Sequence, residues 1–236
     1  MFCDADDMFY HFDALHIIFT YMNKGFDLLM ASFMYEGYND ETGDITFTRQ
    51  DPRNIFVHGK VYNRQFLINQ DIWWNPKLTL HEDCYFNKLC EILSNNTILH
   101  ETPYYIWKHN PASVSREDYL FPYMSNTNMM DSFEALADEL MRRGMDSACV
   151  EVVINVTYEV VYAINELNIT EARQKDIYNK SLKRFREFYL KYKKIWQSAP
   201  DLMKARIRYG TRIHTPDMLT EINDWLDKVE KEELYI

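Results

Sequence analysis

The spacing of apolar positions divides the chain into two textures. In the first, short apolar runs alternate with polar, turn-rich segments. Met1–Cys3 reads as a short buried strand running into an acidic turn. Residues 11–24 read as a helix with Leu15, Ile18 (or Phe19) and Met22 on one face, and Gly25 suits its C-terminal stop. Phe26–Tyr35 is short and apolar throughout, the pattern of a buried strand. Ile45–Thr48 reads as one arm of a surface hairpin, and residues 55–60 as a strand entering Val61–Leu67. Asp71–Pro76 is a loop stopped by proline. A helix opens at Leu80-His81-Glu82-Asp83 and runs to Leu93, and Thr97–Leu99 and Tyr104–Lys108 read as closing strands. Beyond Tyr123 the period becomes helical throughout. A polar linker over Ser125–Asp131 leads into helices over 131–143, 149–167 and 170–197, then two short ones over 201–209 and 216–230. The expected organisation is an α/β region over residues 1–123 and an all-α region over 124–236.

Composition narrows this picture. A chain of 236 residues, 47% hydrophobic and 15% aromatic, can bury a sizeable core. Its formal charge of −10 disfavours phosphate backbones, so nucleic acid is not an expected partner. Cys3, Cys84, Cys90 and Cys149 show no paired spacing, which with the absence of a signal-peptide pattern points to reduced thiols and a cytoplasmic location. The longest apolar run, 148–167, carries Glu151, Asn155 and Glu159 and reads as a buried helix, not a membrane span. Six glycines and no Gly-rich loop argue against a P-loop or a dinucleotide fingerprint.

Two stretches carry candidate chemistry. The first is Asp4, Asp6 and Asp7. On a strand Asp4 and Asp6 would share a face, where two carboxylates repel unless a cation lies between them. Mg²⁺ and Mn²⁺ take such oxygen ligands and usually add substrate phosphates. An acidic N-terminal turn is the plainer alternative. The second is His81-Glu82-Asp83. Acids at a helix N-terminus stay ionised near the positive dipole end, and an ionised carboxylate serves as general base where a hydroxyl reaches it; the same acids also suit simple capping. Lys180–Lys194 carries seven basic residues against Glu187, either a dock for an anionic acceptor, lipid or nucleic acid, or a solvated helix face. Trp73 and Trp74 suit either sugar stacking or partial burial.

The order of stretches over about residues 1–116 resembles the second half of the catalytic domain of a family-two glycosyltransferase with the GT-A fold. Phe2-Cys3-Asp4-Ala5-Asp6-Asp7 resembles the DxD strand end, and Phe26–Phe33 the strand that follows one helix later. His58–Leu67 resembles the segment crossing the acceptor side, and Leu80–Phe86 the ED-containing helix start. Tyr104–Ser115 resembles the closing strand and its Ser-Val-Ser loop. The resemblance implies an incomplete GT-A-like mixed sheet with flanking helices, followed by the helical region. It implies transfer of a sugar from a nucleotide-diphosphate sugar, with a UDP-sugar first in line, to an acceptor of unknown identity by a metal-dependent inverting mechanism.

Roles carry over position by position. Asp4 matches the acid facing the nucleotide sugar. Asp6 or Asp7 matches the ligand of Mn²⁺ or Mg²⁺, with Asp6 preferred by spacing. Asp83 matches the catalytic base, and Glu82 would support it or bind the acceptor. Lys108 stands where many members have arginine near the diphosphate, a change that keeps charge but loses bidentate geometry. His109 and Ser113 lie on the same donor-side loop. Family members carry further βα units ahead of the acidic motif, so the resemblance implies an open apolar edge beside Phe2, completed by a partner chain or self-association, and weak or no transfer by the chain alone. Two other readings stay open: a non-catalytic binding or structural protein that keeps a truncated transferase fold, and a different metal-dependent phosphate enzyme.

Overall fold

The computed structural model describes residues 1–39, 41–53, 55–111, 121–165, 172–201, 204 and 218–236. The chain forms two compact units, one of Met1–Pro76 with Glu82–Glu117, the other of Lys77–His81 with Asp118–Ile236. The described residues comprise seven helices and two mixed sheets, an α/β arrangement with a helical C-terminal region, as the hydrophobic pattern predicts.

In the first unit, β1 (Met8–Phe9), β3 (Phe33–Tyr38), β4 (Ile45–Gln50) and β7 (Tyr105–Trp107) form a sheet in the order β1-β7-β3-β4. The second sheet is built from β2 (Leu28–Ala31), β5 (Lys60–Tyr62) and β6 (Thr97–His100), in the order β5-β2-β6. β2 runs parallel to β6 and antiparallel to β5. The apolar run Phe26–Tyr35 is therefore two strands in two sheets, not one strand. The change of sheet falls at Ser32, whose N–H donates to the His100 carbonyl at 3.0 Å. Every residue of β2 is buried, which explains its unbroken apolar sequence. The hairpin arm expected at Ile45–Thr48 is β4, which pairs with β3 in full register from Phe33↔Gln50 to Tyr38↔Ile45.

Several local expectations are corrected. Met1–Cys3 is exposed and irregular, not a buried strand; the strand begins only at Met8, where an antiparallel partner, Ile106, is available. Of residues 55–60 only Lys60 is in a strand, because the chain turns at Gly59 with φ +72° and β5 begins just after it. The stretch after Tyr62 forms a short helix, α2 (Arg64–Asn69), capped by Asn63, whose side chain accepts from the N–H groups of Gln65 and Phe66. Helix α1 (Ala14–Met22) buries Ala14 and Ile18 and turns Leu15, Phe19 and Met22 outward, at 49%, 58% and 53% exposure. Its sequence is apolar on nearly every side, so periodicity alone does not fix its rotation. The Tyr21 hydroxyl, 3.0 Å from His100 Nδ1, sits on the face that turns inward. Phe19 is 58% exposed, so Phe19→Glu is expected to leave stability within about 0.5 kcal/mol of wild type. Light scattering at high protein concentration should fall in the same variant; a large loss in urea midpoint would show that the stripe packs against something.

Helix α3 (Glu82–Leu93) buries Phe86, Leu89 and Cys90, and its Phe86 ring lies 5.2 Å from that of Tyr62 at the end of β5. The second unit holds α4 (Phe121–Arg142), α5 (Asp146–Asn165), α6 (Ala172–Ser198) and α7 (Met218–Glu230). Ser125–Asp131 is part of α4, not a linker; a polar stretch of Ser, Asn and Met is continued as helix once its apolar neighbours pack. Gly144, at φ +71°, ends the turn between α4 and α5. Of the expected helices over 201–209 and 216–230, the first lies mostly outside the described residues, as does the start of the second. The apolar α5 is the buried helix that its sequence implied, with Glu151 and Glu159 exposed and Val153, Val156 and Val160 inside. No helix among the described residues is long and apolar enough to cross a membrane. The basic run on α6 is largely engaged within this unit. Arg184 bridges Asp131 and Glu134, Lys191 bridges Glu134 and Asp138, and Lys193 meets Glu230.

Candidate active site

The acidic stretch is a tight turn, with the Asp7 N–H donating to the Asp4 carbonyl at 3.2 Å. The face-sharing argument for Asp4 and Asp6 therefore fails, since it required a strand. In the turn the three carboxylates go to different places. Asp7 points inward, with only 1% of its side chain exposed. Its Oδ2 accepts from the Tyr105 hydroxyl at 2.5 Å and its Oδ1 from the Lys108 backbone N–H at 2.8 Å. Both donors come from β7 and its end, so the β1–β7 pairing is what positions Asp7. Burial raises the pKa of Asp7 above the usual carboxylate range, against the lowering effect of those two hydrogen bonds. Asp6 is exposed and its Oδ2 accepts from Asn110 Nδ2 at 2.7 Å. Asp4 is exposed, and its N–H donates to the Tyr105 hydroxyl at 3.3 Å.

His58, to which the acidic and Glu-Asp motifs assign no role, lies beside this turn. Its Nδ1 is 3.7 Å from Asp7 Oδ2, and its side chain is 8% exposed. The ring is stacked on Tyr105 and Trp107 at 5.5 and 4.7 Å between centroids. Burial, reinforced by the Lys60 charge, brings its pKa down to about 4, so the imidazole is neutral at physiological pH. Ligand atoms of Asp4, Asp7 and His58 all lie within 4.8 Å of one another, and this donor set suits a divalent cation. Nothing local in the sequence announces His58. It reaches the turn because Gly59 bends the chain there, and the Gly59 carbonyl is held by the Ala31 N–H at 3.0 Å and the Tyr104 hydroxyl at 2.8 Å.

The second acidic stretch starts α3. Glu82 and Asp83 are both partly buried in its first turn. Asp83 Oδ1 accepts from the Cys84 N–H at 2.9 Å. Burial first, and the neighbouring Glu82 charge second, push the Asp83 pKa up to about 6, while the Cys84 hydrogen bonds and the Lys60 charge oppose that rise. The Lys60 ammonium is itself buried, bonded to the Phe56 carbonyl, and burial takes its pKa down to about 8 against the field of Asp83. A carboxyl poised near neutrality is well matched to proton abstraction. The two acidic stretches meet through an aromatic cluster. The Phe2 ring, two residues before Asp4, contacts Tyr62, Trp74 and Phe86 at 5.2–5.8 Å, and Phe86 lies one turn after Asp83. Trp74 stacks on Phe86 at 4.4 Å, whereas Trp73 is 64% exposed and donates to Asp71.

Lys108 and His109, beyond β7, are engaged differently. The Lys108 ammonium is 3.2 Å from the buried Glu36 carboxylate, so an incoming anion must compete with that pair. His109 donates its backbone N–H to Glu36 at 3.3 Å, and its buried Nδ1 has no hydrogen-bond partner among the described residues. Ser113 lies outside the described residues.

No protein-family model matches the chain, and no curated protein does so. Solved structures do. The fold is similar to that of TarS from S. aureus, a glycosyltransferase. Against TarS 1-349 in complex with UDP the TM-score is 0.52 at 14% identity, over 99% of this chain and 65% of that one. Against S. aureus TarS the TM-score is 0.53 at 14% identity, over 98% of this chain and 39% of that one. The chain thus spans less than two thirds of these structures, and at this identity the likeness is one of fold. The two mixed sheets with a helical region beyond them make a fold similar to that of a glycosyltransferase.

Proposed function

We propose that the chain is the metal- and acceptor-side portion of a family-two, GT-A-type inverting glycosyltransferase, with residues 1–123 as partial catalytic domain and 124–236 as a helical accessory domain. The observation that carries this reading is the meeting of the acidic turn with the Asp83 end of α3 through Phe2, Tyr62, Trp74 and Phe86 in one compact unit. TarS of this fold has been solved in complex with UDP, which supports a UDP-sugar as donor. In this reading the acidic turn Asp4–Asp7 holds Mn²⁺ or Mg²⁺, and Lys108, His109 and Ser113 flank the diphosphate. When bound, the cation would offset charge developing on the leaving diphosphate. Asp83 takes the proton of the acceptor hydroxyl as the new glycosidic bond forms, and Glu82 orients that hydroxyl. Attack from the side opposite the diphosphate inverts the anomeric carbon. Donor contacts beyond this chain would come from a further segment or a partner chain.

Calorimetric titration with UDP in the presence of Mn²⁺ tests the reading. Saturable binding is expected, lost when the metal is chelated and weakened at least about tenfold in Asp7→Asn, the scale on which disturbed metal ligation is felt. Binding indifferent to chelation, or none at millimolar UDP, would overturn it. The non-catalytic reading is favoured by one observation, the Lys108–Glu36 pair that occupies the donor-side cation. Metal-dependent UDP binding with no release of UDP from any UDP-sugar would select it.

A further inference from the structure

We propose that the exposed apolar face formed by β1, the turn after it and helix α1 is a two-fold interface between copies of this chain, in which Phe12 of each copy fills a cavity on the other. The proposal is independent of the transferase reading.

The face is large and continuous. Leu15, Phe19 and Met22 follow one another at i, i+4 and i+7 on α1, which sets them on one stripe. A cavity of about 340 Å³, lined by Met8–Phe12 with Ala14 and Leu15, joins that stripe to β1. Phe12 is wholly exposed (108%), and Met8 and Tyr10 are 48% and 46% exposed. At about 200 Å² for a fully exposed aromatic residue, Tyr10, Phe12 and Phe19 offer roughly 400 Å² between them. The half-exposed Met8, Leu15 and Met22 bring the face to roughly 700 Å², above the ~300–600 Å² of the largest apolar patch on an ordinary monomer.

Shape, size and charge all name a second copy as the occupant. Phe12 is a projecting knob, and the cavity beside it is a hole. A cavity of about 150 Å³ already admits a benzene ring, so this hole has room for a phenyl group. A face that carries both knob and hole complements itself under a two-fold rotation, with each contact made twice. Two such faces would bury roughly 1,400 Å², within the ~1,200–2,000 Å² of stable specific interfaces. The chain carries a formal charge of −10, so two copies repel over most of their surface. From Met8 to Met22 the only acid is Asp13, flanked by His11 and His16, and here the copies can approach. The same run contains no lysine or arginine, the residues that a segment lying on an anionic lipid surface presents. The apolar edge expected beside Phe2 is a different place, since the Phe2 ring packs on Tyr62, Trp74 and Phe86.

Sedimentation equilibrium of the full chain should show monomer and dimer in exchange, with a dissociation constant at or below about 10 µM. Phe12→Ser, which removes the knob, should raise that constant at least about tenfold, and so should Leu15→Trp, which fills the hole. An equal mixture of these two variants should dimerise more tightly than either alone, because the knob of the second enters the open hole of the first. Phe47→Ser, a half-exposed aromatic on β4 at the opposite edge of the same sheet, should leave the constant unchanged. Circular dichroism checks the fold of each variant, and the wild-type mass stands whatever a variant does. A wild type that stays monomeric at about 100 µM would overturn the proposal. So would mass growing past the dimer, an equal loss in Phe47→Ser, or a mixture no tighter than its components. Co-sedimentation of the monomer with phosphatidylcholine vesicles, lost in Phe12→Ser, would overturn it in favour of a lipid surface.

Discussion

Asp83→Asn should lower whatever sugar transfer the proposed mechanism supports by roughly 10²–10⁴-fold while making the protein more stable. In the proposed mechanism Asp83 is the general base, a contribution of roughly 10²–10⁴-fold, and its amide has no basic oxygen to replace it. The pH dependence follows from the same carboxyl. Its pKa is raised to about 6, and only the ionised form accepts a proton, so kcat/KM in the wild type should fall about tenfold for each further step of one in pH below that value. The stability effect has the opposite sense. A carboxyl whose folded pKa lies above its unfolded value is costly when ionised in the fold, a cost fully present above about 6 and absent below its ordinary value of 3.8. A tenfold gain in proton affinity on folding corresponds to about 1.36 kcal/mol, so the amide should gain about 1–3 kcal/mol near pH 8 and nothing near pH 3.5. Urea titrations at the two pH values, alongside UDP release from UDP-sugars, read both effects. If wild type and Asp83→Asn release UDP equally, or are equally silent with every acceptor offered, catalysis is not the function of this carboxyl.

Gly59→Ala should damage the fold more than any other glycine substitution among the described residues. Gly59 has φ +72°, which a side chain tolerates poorly, and an added Cβ would lie 2.7 Å from the Ala31 carbonyl oxygen and 3.2 Å from that of Ser32. Neither neighbour is a flexible side-chain end; both belong to the backbone at the change of sheet. The combined cost is about 3–5 kcal/mol, the range of severe core overpacking added to left-handed strain. Gly25→Ala is the control. Its φ is +67°, but nothing lies within 4 Å of the added Cβ, so it should cost only about 1 kcal/mol. Comparable urea midpoints for the two variants would show that the turn at Gly59 yields, and with it the placement of His58.

Legibility in the sequence followed how local each cause was. The helical C-terminal region, α3 and the hairpin arm at β4 were readable because their periods and turn residues lie within the segment itself. The rotation of α1 was not, because an almost wholly apolar helix offers several inward faces and a distant residue, His100, lies on the chosen one. The split of Phe26–Tyr35 at Ser32 was also hidden, since partners some seventy residues later decide which sheet each half joins. At the candidate site the acidic motif and Glu82-Asp83 were visible as residue types. Which aspartate turns inward was not, because the answer comes from Tyr105 and Lys108, and His58 carried no sign of its place beside them.

The pairing of β1 with β7 also sets a schedule. Asp7 and Tyr105 are 98 residues apart, so Asp7 has no Tyr105 partner until the 98 residues that follow it have been synthesised. At roughly 5–20 residues per second this is a wait on the order of 5–20 s on the ribosome. The helices of the second unit need only near neighbours and close quickly once made. The acidic turn is therefore among the last parts of its own unit to assemble, and for those seconds its three carboxylates are without the β7 donors that later hold Asp7.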